Sequence, residues 1–294
     1  MTGSRISTPY PFPAPTPRGA HGESQLEHME VELLLEGIYR HYGFDFRSYA
    51  RSSLRRRLSK RAEAEGLSSI SSLQDRVLHD PPTMERLLRD LSINVTAMFR
   101  DPAFFATFRS KVVPMLRTYP YLRVWHAGCS TGEEVFATAI MLREEGLLER
   151  ARIYATDMNE TVLAEAQRGI FPLAKMQEYT TNYLRAGGAR AFSEYYTAKY
   201  DGALFDHSLI ENVLFTPHNL ATDRSFSEFN VIFCRNVMIY FDKELKHRVL
   251  DLFTESLANF GVLGLGKKES LALTPHEGRY QAIAAGEKLY KKVA

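Results

Sequence analysis

Apolar residues return at helical spacing over the first third of the chain and then change period. Leu33, Leu34, Gly37, Ile38 and Tyr42 recur near every 3.6 residues, Ala50, Leu54, Leu58 and Ala62 form a second stripe, and Leu73, Val77 and Leu78 a third. Pro81-Pro82 marks a break, and Thr83 restarts a helix carrying Met84, Leu87, Leu88 and Leu91. These stripes predict an all-helical domain over residues 29–91. After Pro120 short apolar runs alternate with helical ones. Leu122 to Ala127, Ile153 to Ala155 and Val231 to Cys234 read as buried strands, and helices begin near Val135 and Glu160. That alternation predicts an α/β domain with a parallel sheet covered on both faces. Phe192 to Phe215, rich in Tyr and Phe without helical spacing, predicts a small antiparallel β insertion at about 191–215, and Leu263 to Gly266 with Leu289 to Lys291 a closing hairpin. The organisation expected is a tail over 1–28, the helical domain, a linker over 92–120, and a sheet domain over 121–294.

Pro9, Pro11, Pro13, Pro15 and Pro17 occupy alternate positions in the tail. Such spacing fixes φ and removes donors, so the tail is expected to hold neither helix nor sheet ladder. The chain of 294 residues is 45% hydrophobic and 24% charged, which suits a globular fold with a real core and excludes a mainly disordered one. A net charge of +2 is too balanced to point to nucleic acid. Two cysteines, Cys129 and Cys234, cannot make a disulfide framework, and no stretch is long and apolar enough to span a bilayer. With no secretory pattern at the N-terminus, a soluble cytoplasmic protein is expected.

Candidate chemistry lies between the first strand and its helix. Gly128-Cys129-Ser130-Thr131-Gly132-Glu133-Glu134 is a turn of small residues that lets backbone N–H groups approach a ligand. Asp157 ends the next strand, where a carboxylate can accept both hydroxyls of a ribose. Together they describe a nucleoside site. Each residue also has a structural reading: the turn as packing, Asp157 as a helix cap before Glu160. The turn lacks the glycine patterns for dinucleotides and triphosphates.

Val124-Trp125-His126-Ala127-Gly128-Cys129-Ser130-Thr131-Gly132-Glu133-Glu134 resembles the signature of the CheR-type chemotaxis receptor methyltransferases. So do Asn94 to Arg100, Ala155-Thr156-Asp157, His218-Asn219-Leu220 and the long run Ile232 to Asp242, all in the family's order. The resemblance implies a Rossmann-like S-adenosylmethionine-dependent methyltransferase domain behind the helical one. It implies methyl transfer to glutamate side chains in the cytoplasmic helical region of methyl-accepting chemoreceptors, with S-adenosylhomocysteine as product. Carried over residue by residue, it places Asn94, Thr96 and Arg100 along the site, Glu133 at the methionine end, Asp157 on the ribose and Asn219 with Leu220 beside the adenine. Cys234, Arg235 and Asn236 would lie next to the cofactor, and Tyr240 would face the transferred methyl. Arg100 could orient the incoming carboxylate; Tyr240 could bond that carboxylate or contact the sulfonium. Glutamate, with a pKa of about 4.3, is ionised at neutral pH and needs no general base.

Three departures from the family stand out. Met98 replaces a phenylalanine, Val135 a proline, and Gly264 to Ser270 carries Lys267-Lys268 where glycine-histidine-serine-glutamate is usual. The last change leaves the cofactor site intact and bears on the protein substrate. Between Arg47 and Arg61 stand seven basic residues and no acidic one. The resemblance makes this stretch, with Arg51, Arg55 and Arg56, a docking face for acidic receptor helices, through electrostatic steering; a solvated basic face without a partner is the plain alternative. Asp80-Pro81-Pro82-Thr83 lacks the apolar strand and the final aromatic that nucleic-acid amino methyltransferases need, so it reads as an interhelical turn. His126 and His218 have no second ligand set at metal spacing, so no metal is expected. A cofactor-binding adaptor without catalysis is the alternative function.

Overall fold

The computed structural model describes residues 20–92 and 96–293. Four helices build the N-terminal domain: α1 (Ala20–Tyr42), α2 (Arg51–Ala64), α3 (Ile70–His79) and α4 (Pro81–Leu91). Their stripes close one core from Leu34, Leu35, Ile38, Leu54, Leu58, Leu73, Val77, Leu87 and Leu91. Helix α1 starts at Ala20, so residues 20–28, assigned to the tail from the sequence, belong to the helix; residues 1–19 lie outside the described residues. Helix α4 starts at Pro81 rather than Thr83. Its two prolines occupy the first turn, where no intrahelical N–H bond is needed, so they open a helix instead of merely ending one.

The stretch expected as a linker is largely helical. Helix α5 (Pro102–Thr107) runs through a π-helical turn, Phe108–Val112, into α6 (Val113–Leu116). Pro114 has no N–H to offer the preceding turn, and the widening sits just before it. Phe104, Phe105, Phe108 and Leu116 bury this segment against the sheet.

The second domain unfolds in the order β1 (Leu122–Ala127), α7 (Glu133–Glu144), β2 (Ala151–Asp157), α8 (Glu160–Arg168), β3 (Ile170–Pro172), α9 (Met176–Arg185), β4 (Tyr196–Lys199), β5 (Gly202–Phe205), β6 (Val213–Pro217), β7 (Phe229–Cys234), α10 (Lys243–Ser256), β8 (Leu257–Leu265), β9 (Tyr280–Ala284) and β10 (Leu289–Lys292). The main sheet has the order β6-β2-β1-β7-β8-β10-β9. Strands β6, β2, β1, β7 and β8 are parallel, and β10 pairs antiparallel with both β8 and β9. Alternate residues serve opposite faces: Val231 and Phe233 join one core, Ile232 and Cys234 the other.

The small sheet, β3-β5-β4, spans 170–205 rather than 191–215. Strand β3 lies before α9 and pairs Ile170 with Leu204, whereas β6 belongs to the main sheet through Ile153↔Val213. Short aromatic-rich strands look alike in sequence whichever sheet they join. Register and pairing separate them.

The domains meet through backbone. Ala50 N donates to Tyr240 O (2.8 Å) and Asp242 N to Ser48 O (2.9 Å), with Tyr49 and Phe241 facing each other in an antiparallel bridge. Among the described residues no helix is long and apolar enough to cross a membrane.

Candidate active site

A cleft enclosing about 910 Å³, open solvent included, lies over the carboxyl ends of β1, β2 and β7 and against the helical domain. Its floor is the turn after β1. Gly128, Ser130 and Gly132 have φ of 80°, 52° and 92°, so the chain doubles back tightly. Gly128 N and Cys129 N each donate to Thr156 O at 2.8 Å, tying the turn to β2. A Cβ on Gly128 would sit 2.6 Å from Val237 Cγ2. The two loops meet with no room for a side chain between them.

Asp157 lines this cleft. Its Oδ2 accepts from Ser130 N and its Oδ1 from Asn159 N, both at 3.0 Å. Burial pushes its carboxyl up from the ordinary range, against the pull of those backbone donors. Asn159, not Asp157, caps α8, with Oδ1 accepting from Thr161 N (3.0 Å). The carboxylate at the strand tip is therefore left for the cleft.

The two glutamates of the turn part company. Glu133, the sequence candidate, is 7% exposed and points away: its carboxylate accepts from Thr131 Oγ1 (2.6 Å) and Tyr179 OH (3.4 Å), and burial raises its pKa. It does not line the cleft; Glu134 does. Neighbouring residues on a helix point about 100° apart, and sequence alone cannot say which one faces inward. Burial would raise the Glu134 carboxyl, but Arg235 and His126 outweigh it and bring it to about 2. Arg235 Nη1 lies 2.5 Å from Glu134 Oε2, while Nη2 donates to Arg100 O (3.0 Å) and Asp101 Oδ2 (2.9 Å). Its guanidinium also lies 4.1 Å from the Phe104 ring centroid. Arg235 thus braces the Arg100 turn against α7.

Thr96, Arg100, Asn219, Leu220, Asn236 and Tyr240 also line the cleft. Cys234 does not; it is fully buried under the sheet, and burial raises both its thiol and that of Cys129. Asn94 lies outside the described residues. Asn219 shapes its own loop, with Oδ1 accepting from Ala221 N (3.0 Å). Arg57 of α2 sits 5.0 Å from the Tyr240 ring centroid and donates to Leu91 O (2.8 Å).

One further residue escaped the sequence reading. Glu269 is 5% exposed, and its carboxylate accepts from Gly266 N (2.6 Å), Asn236 N (3.0 Å), Val237 N (3.0 Å) and Met238 N (2.8 Å). It pins the loop that carries Asn236 and Tyr240. Gly266-Lys267-Lys268-Glu269 keeps the glycine and the glutamate of the glycine-histidine-serine-glutamate run at their spacing, a signal that the two lysines obscured.

Arg51, Arg55 and Arg56, named as a docking face, do not line the cleft; of the basic residues of α2, Arg57 approaches it at Tyr240. Arg51 pairs with Glu32 (3.4 Å), and Arg55 Nε donates to Glu27 Oε1 (2.6 Å), so α1 neutralises part of that face; Arg56 stays exposed. Lys267 Nζ lies 3.6 Å from Asp101 Oδ1, beside the Arg100 turn.

Residues 29–92 match the model of the CheR methyltransferase all-alpha domain, and residues 94–286 that of the CheR methyltransferase SAM binding domain. The chain is 49% identical over 264 residues, covering 90% of it and 97% of the relative, to the putative methyltransferase Cher3 of Pseudomonas putida. It is 29% identical to a chemotaxis protein methyltransferase of Listeria innocua (80% and 87% covered), and 28% identical to chemotaxis protein methyltransferase 2 of Pseudomonas aeruginosa (90% and 95%). The glycine turn and the cleft-lining carboxylate of Asp157, whose oxygens keep lone pairs beyond their two backbone donors, fit the nucleoside of the cofactor that the second family model names. The chain therefore belongs to the CheR methyltransferase family and is an S-adenosylmethionine-dependent methyltransferase.

Proposed function

We propose that the protein methylates glutamate side chains in the cytoplasmic helical region of chemoreceptors, or of related signalling proteins, from a place in the cytoplasm. The relatives named as chemotaxis methyltransferases support the pathway. The observation that carries the reading is that Arg100 and Tyr240 share one cleft with Asp157 and the glycine turn. In this reading Asp157 receives the ribose hydroxyls and Asn219 with Leu220 flanks the adenine. Thr96 and Asn236 line the cleft beside the cofactor, and Glu134 with Arg235 takes the methionine end that the resemblance gives to Glu133.

When bound, S-adenosylmethionine supplies an electrophilic methyl on a cationic sulfur, which an ionised carboxylate accepts without a general base. The chain's own work is then positioning and water exclusion, which can amount to ~7–11 kcal/mol in well-oriented systems. Arg100, its turn held by Arg235, guides the incoming carboxylate. Tyr240 carries a hydroxyl that burial keeps protonated and so able to donate, although Arg57 and Arg100 pull its pKa the other way. Arg56, together with Lys267 and Lys268, offers positive charge to an acidic helix, and esterification removes one negative charge from that helix.

Incubation with methyl-labelled cofactor and receptor fragments tests this. Base-labile label mapping to glutamate is expected. Cofactor binding with no label in any receptor fragment would instead make the protein an adaptor, and label in nucleic acid or a metabolite would move the substrate elsewhere.

A further inference from the structure

Tyr49 comes from the helical domain, two residues before α2 begins, yet it lines the cleft beside Asp157 and Met158. Its ring is wedged between Phe46 and Phe241, with centroids 5.1 and 5.0 Å away. Its hydroxyl donates to Met158 Sδ at 3.7 Å. A thioether is a weak acceptor, so this phenol in the cleft wall keeps most of its hydrogen-bonding capacity. Met158 follows Asp157 directly, at the end of the cleft given to the nucleoside. The next residue, Ala50, donates its N–H to Tyr240 O.

We infer that the Tyr49 hydroxyl is a ligand of the nucleoside half of the cofactor, so that cofactor binding ties the helical domain to the sheet domain. The inference rests on the reading that Asp157 marks the ribose. Two partners share the required chemistry, a ribose hydroxyl and an adenine ring nitrogen. Either replaces the sulfur as the hydroxyl's partner. Because Tyr49-Ala50 is hydrogen-bonded to the loop carrying Tyr240, the contact also sets the start of α2 against that loop.

Calorimetry of S-adenosylhomocysteine with the full chain and with Tyr49→Phe tests this. The variant keeps the wedged ring and loses only the hydroxyl. About a five-fold weaker Kd is expected, the scale of one neutral hydrogen bond, with the melting temperature of the ligand-free protein unchanged. Product analogues lacking the 2′-hydroxyl, the 3′-hydroxyl or the adenine N3 separate the partners: the variant's penalty disappears for the analogue missing the group that Tyr49 contacts. Hydrogen exchange supplies a second readout. The product should protect residues 48–54 in the wild type and much less in the variant. Equal affinity of the two proteins overturns the inference, as does a penalty of the same size with every analogue. Failure of the wild type to bind the product would instead overturn the cofactor site itself.

Discussion

Arg235 Nη1 and Glu134 Oε2 lie 2.5 Å apart, joining the end of β7 to the first turn of α7 beneath the cleft. The Arg235 side chain is 1% exposed and bonds Asp101 as well. Removing one partner of a buried pair leaves a charge without compensation and costs about 3–5 kcal/mol. Arg235→Met should lower stability by that amount in urea denaturation. A loss under 1 kcal/mol would mean that the pair is dispensable.

The same pair makes stability depend on pH. The Glu134 pKa of about 2 is below the unfolded value, so its contribution is fully present above the unfolded carboxylate range, near 4.3, and is lost as pH falls toward the folded value. The stability gap between wild type and Glu134→Gln should therefore shrink between about pH 5 and pH 2. A gap that stays constant over that window contradicts the assignment.

Asp157 behaves in the opposite sense. Burial raises its pKa, so it takes up a proton at higher pH than an ordinary aspartate. Affinity for S-adenosylhomocysteine should fall on acidification, beginning above the ordinary aspartate range of about 3.9. Asp157→Asn should weaken binding at neutral pH by about ten-fold or more, since charged hydrogen bonds contribute ~1.5–3 kcal/mol, and should remove most of that pH dependence. Titration calorimetry across the range decides both.

The contact of Gly128 with Val237 predicts a rescue. Gly128→Ala places a Cβ 2.6 Å from Val237 Cγ2 at a φ of 80°, and should disturb the cleft floor and weaken product binding by more than ten-fold. Adding Val237→Ala removes the clash but not the backbone strain, so it should restore part of the affinity. No recovery in the double variant would show that the left-handed backbone, rather than the close approach, demands glycine.

Glu269 predicts an effect at a distance. Glu269→Gln retains one acceptor oxygen for a carboxylate that now serves four backbone donors, leaving buried N–H groups unpaired at ~1–3 kcal/mol. Turnover should drop about ten-fold through displacement of Tyr240, with increased proteolysis or hydrogen exchange across 236–240. Unchanged exchange there would remove Glu269 from the site's support.

Much of this was written in one dimension. Helical stripes from Leu34 to Leu91 follow from a period of 3.6, with Leu33 of the first stripe left exposed, and the apolar runs around Trp125, Ile153 and Ile232 from strands buried on both faces. The glycine turn, Asp157 and the motif around Tyr240 were visible because local backbone demands and the family resemblance act on contiguous residues. The start of α1, the span of the small sheet and the choice between Glu133 and Glu134 were not. The last two depend on a partner distant in sequence: Leu204 for Ile170, Arg235 for Glu134.

The sequence alone determined which segments are helix and strand, that the chain holds a nucleoside-type turn, and that it has the marks of a methyltransferase. Tertiary structure alone decided which carboxylate faces the cleft, which one pins the loop behind it, and that the helical domain supplies a wall. The reason is that burial and hydrogen-bond satisfaction are properties of neighbours in space. Two adjacent glutamates have the same chemistry until an arginine about a hundred residues later settles which of them it meets.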